Sequence, residues 1–316
     1  MEWPHIPKPN IVGSDILKIW VTPNIGLIKK SFIGLTAVAL MGVLAPQIKL
    51  LQAQEIVSFP SAPTPISPFK LKKAKANGII LTPKPGIELI GHLFRPTINT
   101  PRPAVIILVS ADGLQPSHLK WAKLIADWGY VALVIDSFRS RGGTGATDTP
   151  SVGMPADAMN GARYLKGLDF VNDEEISLFG FSMGASRLFS ILGKTGENKS
   201  AEGTFKSGIA FYPNCISDVA LQVPFLVFAG DMDDLMSLGS CEAALNEAPK
   251  YENDISLTVY PGVTHFFDNP NYRKDTVTAS KKASPPIYFS TNHYDLAAHE
   301  DSILKVQSFL KKHMGQ

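Results

Sequence analysis

Short apolar runs alternate with helix-like segments along most of the chain after residue 77. Runs in the middle of the chain are apolar at every position, as expected for parallel strands buried on both faces. The first two predicted strands should pair as an antiparallel hairpin. Strands are predicted at 78–82, 87–94, 104–109, 131–135, 176–179, 209–212, 225–228 and 255–260.

Between these strands, apolar residues recur at spacings of three and four, which predicts helices. The helices are predicted at 118–128, 157–168, 185–192, from about residue 238, and at 302–312. Repeated alternation of strand and helix predicts an α/β fold with a doubly wound, mostly parallel sheet flanked by helices. Ligands of such folds bind beyond the C-terminal ends of the strands, so candidate chemistry is expected in those loops.

The first 69 residues lack this alternation, and their pattern predicts two further segments before the folded domain. Lys29–Ala45 has two lysines before an apolar run, the pattern of a secretory signal peptide, and Ala53 offers a small residue at a cleavage point. An uncleaved membrane anchor and a buried helix are the alternatives. We therefore predict a signal-like extension at 1–54, a Pro-rich linker at 55–69 and one folded domain at 70–316.

Charge is evenly balanced once the N-terminal extension is set aside. The whole chain of 316 residues has 30 Lys and Arg against 28 Asp and Glu. Its first 54 residues hold five lysines and two acids, which leaves 25 basic and 26 acidic residues in the remainder. This near neutrality predicts no attraction of that remainder to nucleic acid or to an anionic membrane.

One motif carries a chemical signature. Gly180-Phe181-Ser182-Met183-Gly184 follows an apolar strand and precedes a predicted helix. This is the G-x-S-x-G pattern of a nucleophile elbow, a sharp strand-to-helix turn that exposes the serine hydroxyl. The two glycines allow neighbouring backbone to pass close by, and the Met183 amide points to where an oxyanion would form.

A serine nucleophile needs a base and an acid that orients the base, in the chain order Ser, acid, His in this type of fold. A predicted strand runs into Asp231, Asp233 and Asp234, of which we favour Asp233 and keep the other two as alternatives. His265 follows the strand 255–260 and is the predicted base. His299, at the start of the last helix, is its weaker rival.

The second donor to the oxyanion is expected in the loop after strand 104–109, where Ala111 is the candidate. Asp112 in the same loop is unfavourable, because a carboxylate that faces the oxyanion would oppose its charge. It must therefore point away or be paired.

Two cysteines and two arginines complete the set of candidate side chains. Cys215 and Cys241 should lie at the C-terminal ends of neighbouring strands, which favours a disulfide in an exported protein over two free thiols. Arg139 and Arg141 could bind a substrate carboxylate, although solvated side chains are the commoner outcome. No Cys and His cluster has the spacing of zinc ligands, so we predict no metal and no cofactor.

With these residues in view, the chain resembles the dienelactone hydrolase family of α/β-hydrolases over most of 78–313. The resemblance implies that 70–316 is a catalytic domain with a Ser182–Asp233–His265 triad, hydrolysis of esters or lactones and a compact α/β-hydrolase fold without a large lid. Two features depart from the family: the nucleophile is Ser rather than Cys, and 109–113 replaces a His-Gly-Cys-Gly-Gly-like loop. The matching residues are Trp121-Ala122, 127–133, 136–138, 180–184, 211–213, 230–234, 260–262, 265–268 and the final helix.

The sequence therefore predicts an exported serine hydrolase for small carboxylic esters or lactones, with no cofactor. A hydrolase-fold binding protein with an oxyanion loop impaired by Asp112 is the first alternative. Acyl transfer by the same three residues is the second.

Overall fold

The computed structural model describes residues 54–63, 66–98, 100–149, 152–193, 203–216, 219–246, 254–272, 276–279 and 289–315. These residues belong to one compact unit that spans Lys49–Gln316. The signal-like segment Lys29–Ala45 lies outside the described residues. Among the described helices, none is long and apolar enough to cross a membrane.

An eight-stranded sheet in the order β1-β2-β4-β3-β5-β6-β7-β8 forms the centre of the fold. The pairs β1–β2 and β2–β4 are antiparallel, and every other pair is parallel. The strands are β1 Glu55–Pro60, β2 Glu88–Phe94, β3 Arg102–Leu108, β4 Val131–Asp136, β5 Val171–Phe181, β6 Gly208–Phe211, β7 Phe225–Gly230 and β8 Ile255–Tyr260. A separate antiparallel pair is formed by β9 Thr276–Ala279 and β10 Phe289–Asn292.

Helices cover both faces of the sheet, which confirms the predicted α/β architecture. They are α1 Pro68–Ala76, α2 Pro116–Asp127, α3 Met154–Lys166, α4 Met183–Leu192, α5 Leu238–Asn246 and α6 Leu296–Met314. Alternate residues of β3 contribute to two separate cores. Val105 and Ile107 pack in the core with α2 and α6, whereas Ile106 and Leu108 pack in the core with α3 and α4. This two-sided burial explains why the strand is apolar throughout.

The predicted hairpin between 78–82 and 87–94 is wrong. Residues 78–82 form no strand, and β2 pairs instead with β1, which lies inside the predicted linker 55–69. Phe59 is buried in β1 and stacks on the Tyr164 ring at 5.1 Å, which ties this edge strand to α3. Pro60 ends the strand at the sheet edge, where a missing N–H is tolerated. Residues 55–60 of the predicted linker are therefore part of the central sheet.

A disulfide joins Cys215, in the loop after β6, to Cys241 in α5, with the Cα atoms 4.8 Å apart. Both cysteines are buried. A bridge that closes a separation of 26 residues contributes about 3 kcal/mol to the free energy of unfolding in the chain-entropy account. It connects the end of β6 to the helix that follows the predicted acid loop.

Candidate active site

Ser182 lies between the end of β5 and the first residue of α4 and has φ 50° and ψ −113°. Few non-glycine residues adopt positive φ, so the surrounding structure must hold this strained turn in place. A Cβ on Gly180 would lie 2.6 Å from the backbone N of Ala185. A Cβ on Gly184 would lie 2.5 Å from the carbonyl oxygen of Leu108. Both glycines are therefore required by close backbone contacts, and the second brings the elbow against the end of β3.

His265 and Asp233 extend from Ser182 as a hydrogen-bonded chain. The Nε2 atom of His265 lies 2.9 Å from Ser182 Oγ, and its Nδ1 atom lies 2.7 Å from Asp233 Oδ2. His265 is fully buried, and Ser182 is 4% exposed. These residues come from the loops after β8, β5 and β7, so the sheet brings three distant segments together at the C-terminal ends of its strands.

The acid loop distinguishes between the three carboxylates that the sequence left open. Asp233 Oδ1 accepts hydrogen bonds from the backbone N–H groups of Leu235 and Met236, which orients Oδ2 towards the imidazole. Asp231 Oδ1 instead accepts from the Gly262 N–H at 2.6 Å. The structure therefore brings Asp233 to His265 and uses Asp231 to join two loops.

This arrangement is suited to nucleophilic chemistry. A neutral imidazole with its proton on Nδ1 donates to Asp233 and can accept a proton from Ser182 at Nε2. Within the described part of the chain, no group of three or more His, Cys, Asp or Glu side chains could hold a metal ion.

The loop between β3 and α2 lies beside the elbow. The Ser110 carbonyl accepts a hydrogen bond from the Gly113 N–H at 3.0 Å, which holds the peptide group that carries the Ala111 N–H. The Ala111 carbonyl accepts from the Ala146 N–H at 2.7 Å and holds the next peptide group. Met183 is the first residue of α4, so its N–H has no acceptor within the helix. The amides of Ala111 and Met183 remain the candidate oxyanion donors.

Asp112 has a partner that sequence analysis did not identify. The Tyr272 hydroxyl donates to Asp112 Oδ2 at 2.6 Å, and the Tyr272 ring stacks on Phe266 at 4.7 Å. Burial raises the pKa of Tyr272, and the nearby Asp112 charge raises it further, so this hydroxyl keeps its proton. The hydrogen bond ties the carboxylate down, as the sequence argument required. The partners are 160 positions apart in the sequence, so no local pattern could reveal the pair.

A buried polar network behind His265 was also missed. The Tyr212 ring packs on the His265 ring at 4.4 Å, and its hydroxyl donates to Asp268 Oδ1 at 2.7 Å. Trp121 Nε1 donates to the other carboxylate oxygen at 2.9 Å. Burial raises the pKa of Asp268, while the two donors act in the opposite direction. The network positions the aromatic wall against which the imidazole packs.

The two arginines considered for a substrate carboxylate and His299, the rival base, make other contacts. Arg141 forms a bidentate ion pair with Asp157, with N···O distances of 2.8 and 2.9 Å. Arg139 is exposed beside Asp136, at an N···O distance of 3.7 Å. The His299 ring packs edge-on against Trp121 in the core, so the structure does not place it with Ser182.

His118 supports the start of α2, next to the elbow strand. Its Nδ1 atom accepts a hydrogen bond from the Gln115 N–H at 3.1 Å, and its ring packs on Phe181 at 4.8 Å. Burial lowers its pKa from 6.5 to about 3. The folded protein therefore keeps this imidazole neutral in mildly acidic solution, where the unfolded chain protonates it.

His118 should thus make stability depend on pH. Between pH 6.5 and about 3 the unfolded state binds the extra proton, so acidification favours unfolding. We expect a loss of up to about 1.4 kcal/mol per pH unit from this group, and a shallower slope for His118→Gln, whose amide oxygen can replace Nδ1 as acceptor. Urea unfolding of both proteins at several pH values below neutrality measures the slopes. Equal slopes would contradict the assignment.

Comparison with known proteins identifies a matching protein family and solved structures with a similar fold. The model of the dienelactone hydrolase family matches residues 89–314. A dienelactone hydrolase-like promiscuous phosphotriesterase from metagenomic libraries is 18% identical, with a TM-score of 0.60 over 83% of this chain and 100% of its own. Esterase 2 of Thermogutta terrifontis, phosphorylated by paraoxon, is 13% identical, with a TM-score of 0.54 over 73% of this chain and 92% of its own. A search of curated proteins found no match.

Proposed function

Because this chain belongs to the dienelactone hydrolase family, we propose that it is a serine hydrolase for small carboxylic esters or lactones. The observation that carries the proposal is the continuous chain from Ser182 Oγ through the His265 ring to Asp233, with contacts of 2.9 and 2.7 Å. Such a chain provides a nucleophile, a general base and a group that orients the base.

In the proposed reaction His265 Nε2 takes the hydroxyl proton as Ser182 Oγ attacks the carbonyl carbon. Asp233 stabilises the imidazolium that results. The N–H groups of Met183 and Ala111 would bind the oxygen that becomes negatively charged. His265 then returns the proton to the leaving alkoxide, which departs as an alcohol or, from a lactone, remains attached to the acyl group.

Water completes the cycle. His265 accepts a proton from the water molecule that attacks the acyl-enzyme, and Ser182 leaves with that proton restored. Acyl transfer would follow the same steps with an alcohol or amine in place of water. Product analysis in the presence of an added alcohol distinguishes the two outcomes.

The pairing of Asp112 supports catalysis over binding alone. An unpaired carboxylate in the oxyanion loop was the main reason to consider a binding protein, and the Tyr272 hydroxyl occupies that carboxylate. Export is part of the proposal, with residues 1–54 as an extension that carries a signal. The disulfide between Cys215 and Cys241 is compatible with an oxidising compartment.

The test of the proposed function is covalent labelling together with turnover. A fluorophosphonate probe should label the protein with one probe molecule per protein molecule. Peptide mass spectrometry should locate the adduct on Ser182. Short-chain p-nitrophenyl esters and a panel of lactones should be hydrolysed by the same preparation. A protein that neither reacts with the probe nor turns over any of these substrates would be a binding protein instead.

A further inference from the structure

Residues 66–87, which we call the basic apolar segment, combine positive charge with exposed hydrophobic side chains. The stretch from residue 56 to 87 has five lysines and no Asp, Glu or Arg. Removing these lysines from the total for residues 55–316 leaves 20 basic against 26 acidic residues elsewhere in that part of the chain. The near neutrality of the whole thus hides a strong segregation of charge. The five residues are Lys70, Lys72, Lys73, Lys75 and Lys84.

Hydrophobic side chains of the same segment are open to solvent. Phe69 is 76% exposed and Ile80 is 93% exposed. Between residues 67 and 85 only Ala74 is buried. Helical spacing places Phe69 and Lys72 on the side of α1 opposite Ala74, so the outward face carries both an aromatic ring and a charge. Isolated exposed apolar residues are ordinary, but a cluster of them in one short segment marks an interaction surface.

The local backbone holds these groups in place. Ser67 Oγ accepts the Lys70 N–H at the start of α1. At the other end of the helix, Gly78 has φ 66° and the Ile79 N–H donates to the Ala74 carbonyl at 2.9 Å. The apolar run 79–81 follows this turn directly, next in the chain to the last helical turn, which carries two of the lysines. Cationic and apolar groups are therefore presented together by an ordered element.

We propose that the basic apolar segment docks on the surface of an anionic phospholipid bilayer. Lysine ammonium groups would lie at the headgroups, while Phe69 and Ile80 would enter the boundary with the acyl chains. The lysine stems suit this boundary because they are apolar up to the charged end. This proposal is independent of the hydrolase activity.

The positive charge of the lysines distinguishes between two possible occupants of this surface, a second copy of the chain and an anionic membrane. Face-to-face pairing with a second copy would bring the two lysine clusters together, which like-charge repulsion opposes. None of the five lysines forms an ion pair with another described residue. An anionic lipid surface satisfies the free charges and covers the apolar side chains at once.

The test is sedimentation of the full chain with vesicles of pure phosphatidylcholine and with vesicles that contain about 30% phosphatidylglycerol. The difference in binding between the two compositions is the readout, because it removes any contribution that does not depend on lipid charge. We expect the quadruple Lys→Gln variant at positions 70, 72, 73 and 75 to reduce the charge-dependent affinity by at least about tenfold. A variant with Lys→Gln at positions 120, 166, 206 and 311 has the same net charge and should retain that affinity.

A second pair of variants tests the apolar contribution. Phe69→Ser with Ile80→Ser should weaken binding by at least about fivefold. Leu296→Ser with Leu304→Ser removes exposed apolar side chains elsewhere and should not. Equal binding by the segment variants and their controls would overturn the proposal. The proposal also fails if Phe69→Ser with Ile80→Ser leaves lipid binding intact but changes the protein in another way. A lower Tm would mean that the chain itself covers this surface, and a lower mass by light scattering would mean that a second copy covers it.

Discussion

Replacing Ser182 by alanine is expected to reduce kcat for a short-chain p-nitrophenyl ester by about 10⁵-fold. The substitution removes the oxygen that would attack the carbonyl, which is the hydroxyl that His265 Nε2 contacts at 2.9 Å. It leaves the imidazole and Asp233 in place. The measurement is steady-state turnover by wild type and variant that have been purified in parallel.

Two controls make the result specific. Ser190→Ala changes another serine of α4, whose hydroxyl donates to the Arg187 carbonyl, and should keep wild-type turnover. Ser182→Ala should also retain the circular dichroism spectrum and the Tm, because alanine adds no atoms to the turn. If a well-folded Ser182→Ala keeps more than about one hundredth of the activity, another residue is the nucleophile and the proposed mechanism fails.

The elbow was predictable because its chemistry and its local structure coincide. Gly180, Ser182 and Gly184 lie within five residues, and the backbone contacts that exclude a Cβ at both glycines involve the strand and helix that the apolar pattern also predicts. Sequence information is local here, and so is the physical requirement. The same holds for the position of His265 directly after β8.

Pairing of the edge strands was not predictable in this way. The residues 78–82 are apolar enough for a strand, but they remain exposed, and β1 takes the place beside β2. What decides the choice is the burial of Phe59 against Tyr164, more than 100 residues further along the chain. The Pro-rich composition of 55–69 indicated a linker because prolines restrict the local backbone. Composition contains no information about a contact such as that between Phe59 and Tyr164.

Sequence analysis favoured one carboxylate of the acid loop but could not exclude its two neighbours, for a different reason. Asp231, Asp233 and Asp234 lie in one turn. Their side chains point in different directions, and residue type alone does not determine which of them points towards His265. Two N–H groups, of Leu235 and Met236, fix Asp233 in the orientation that reaches His265. Such backbone hydrogen bonds leave no signature in residue type.

Exchange of Asp233 for asparagine is expected to lower kcat by about 10⁴-fold with little change in KM. The amide oxygen can still accept from Leu235 and Met236, so the turn should be retained. Its NH₂ group would then face His265 Nδ1 and would donate to it. The imidazole would carry its proton on Nε2 and could no longer accept the one from Ser182.

Asp231→Asn and Asp234→Asn are the matched controls, since each makes the same chemical change within the same turn. Asp231→Asn keeps an acceptor for the Gly262 N–H, and both variants should retain kcat within about threefold. Steady-state kinetics of the three variants decides the acid, because a fall in kcat comparable to that of Asp233→Asn in either control would transfer the role to that residue. A selective loss in Asp233→Asn, with an unchanged Tm, would mean that this carboxylate acts by holding the tautomer of His265 rather than by supporting the fold.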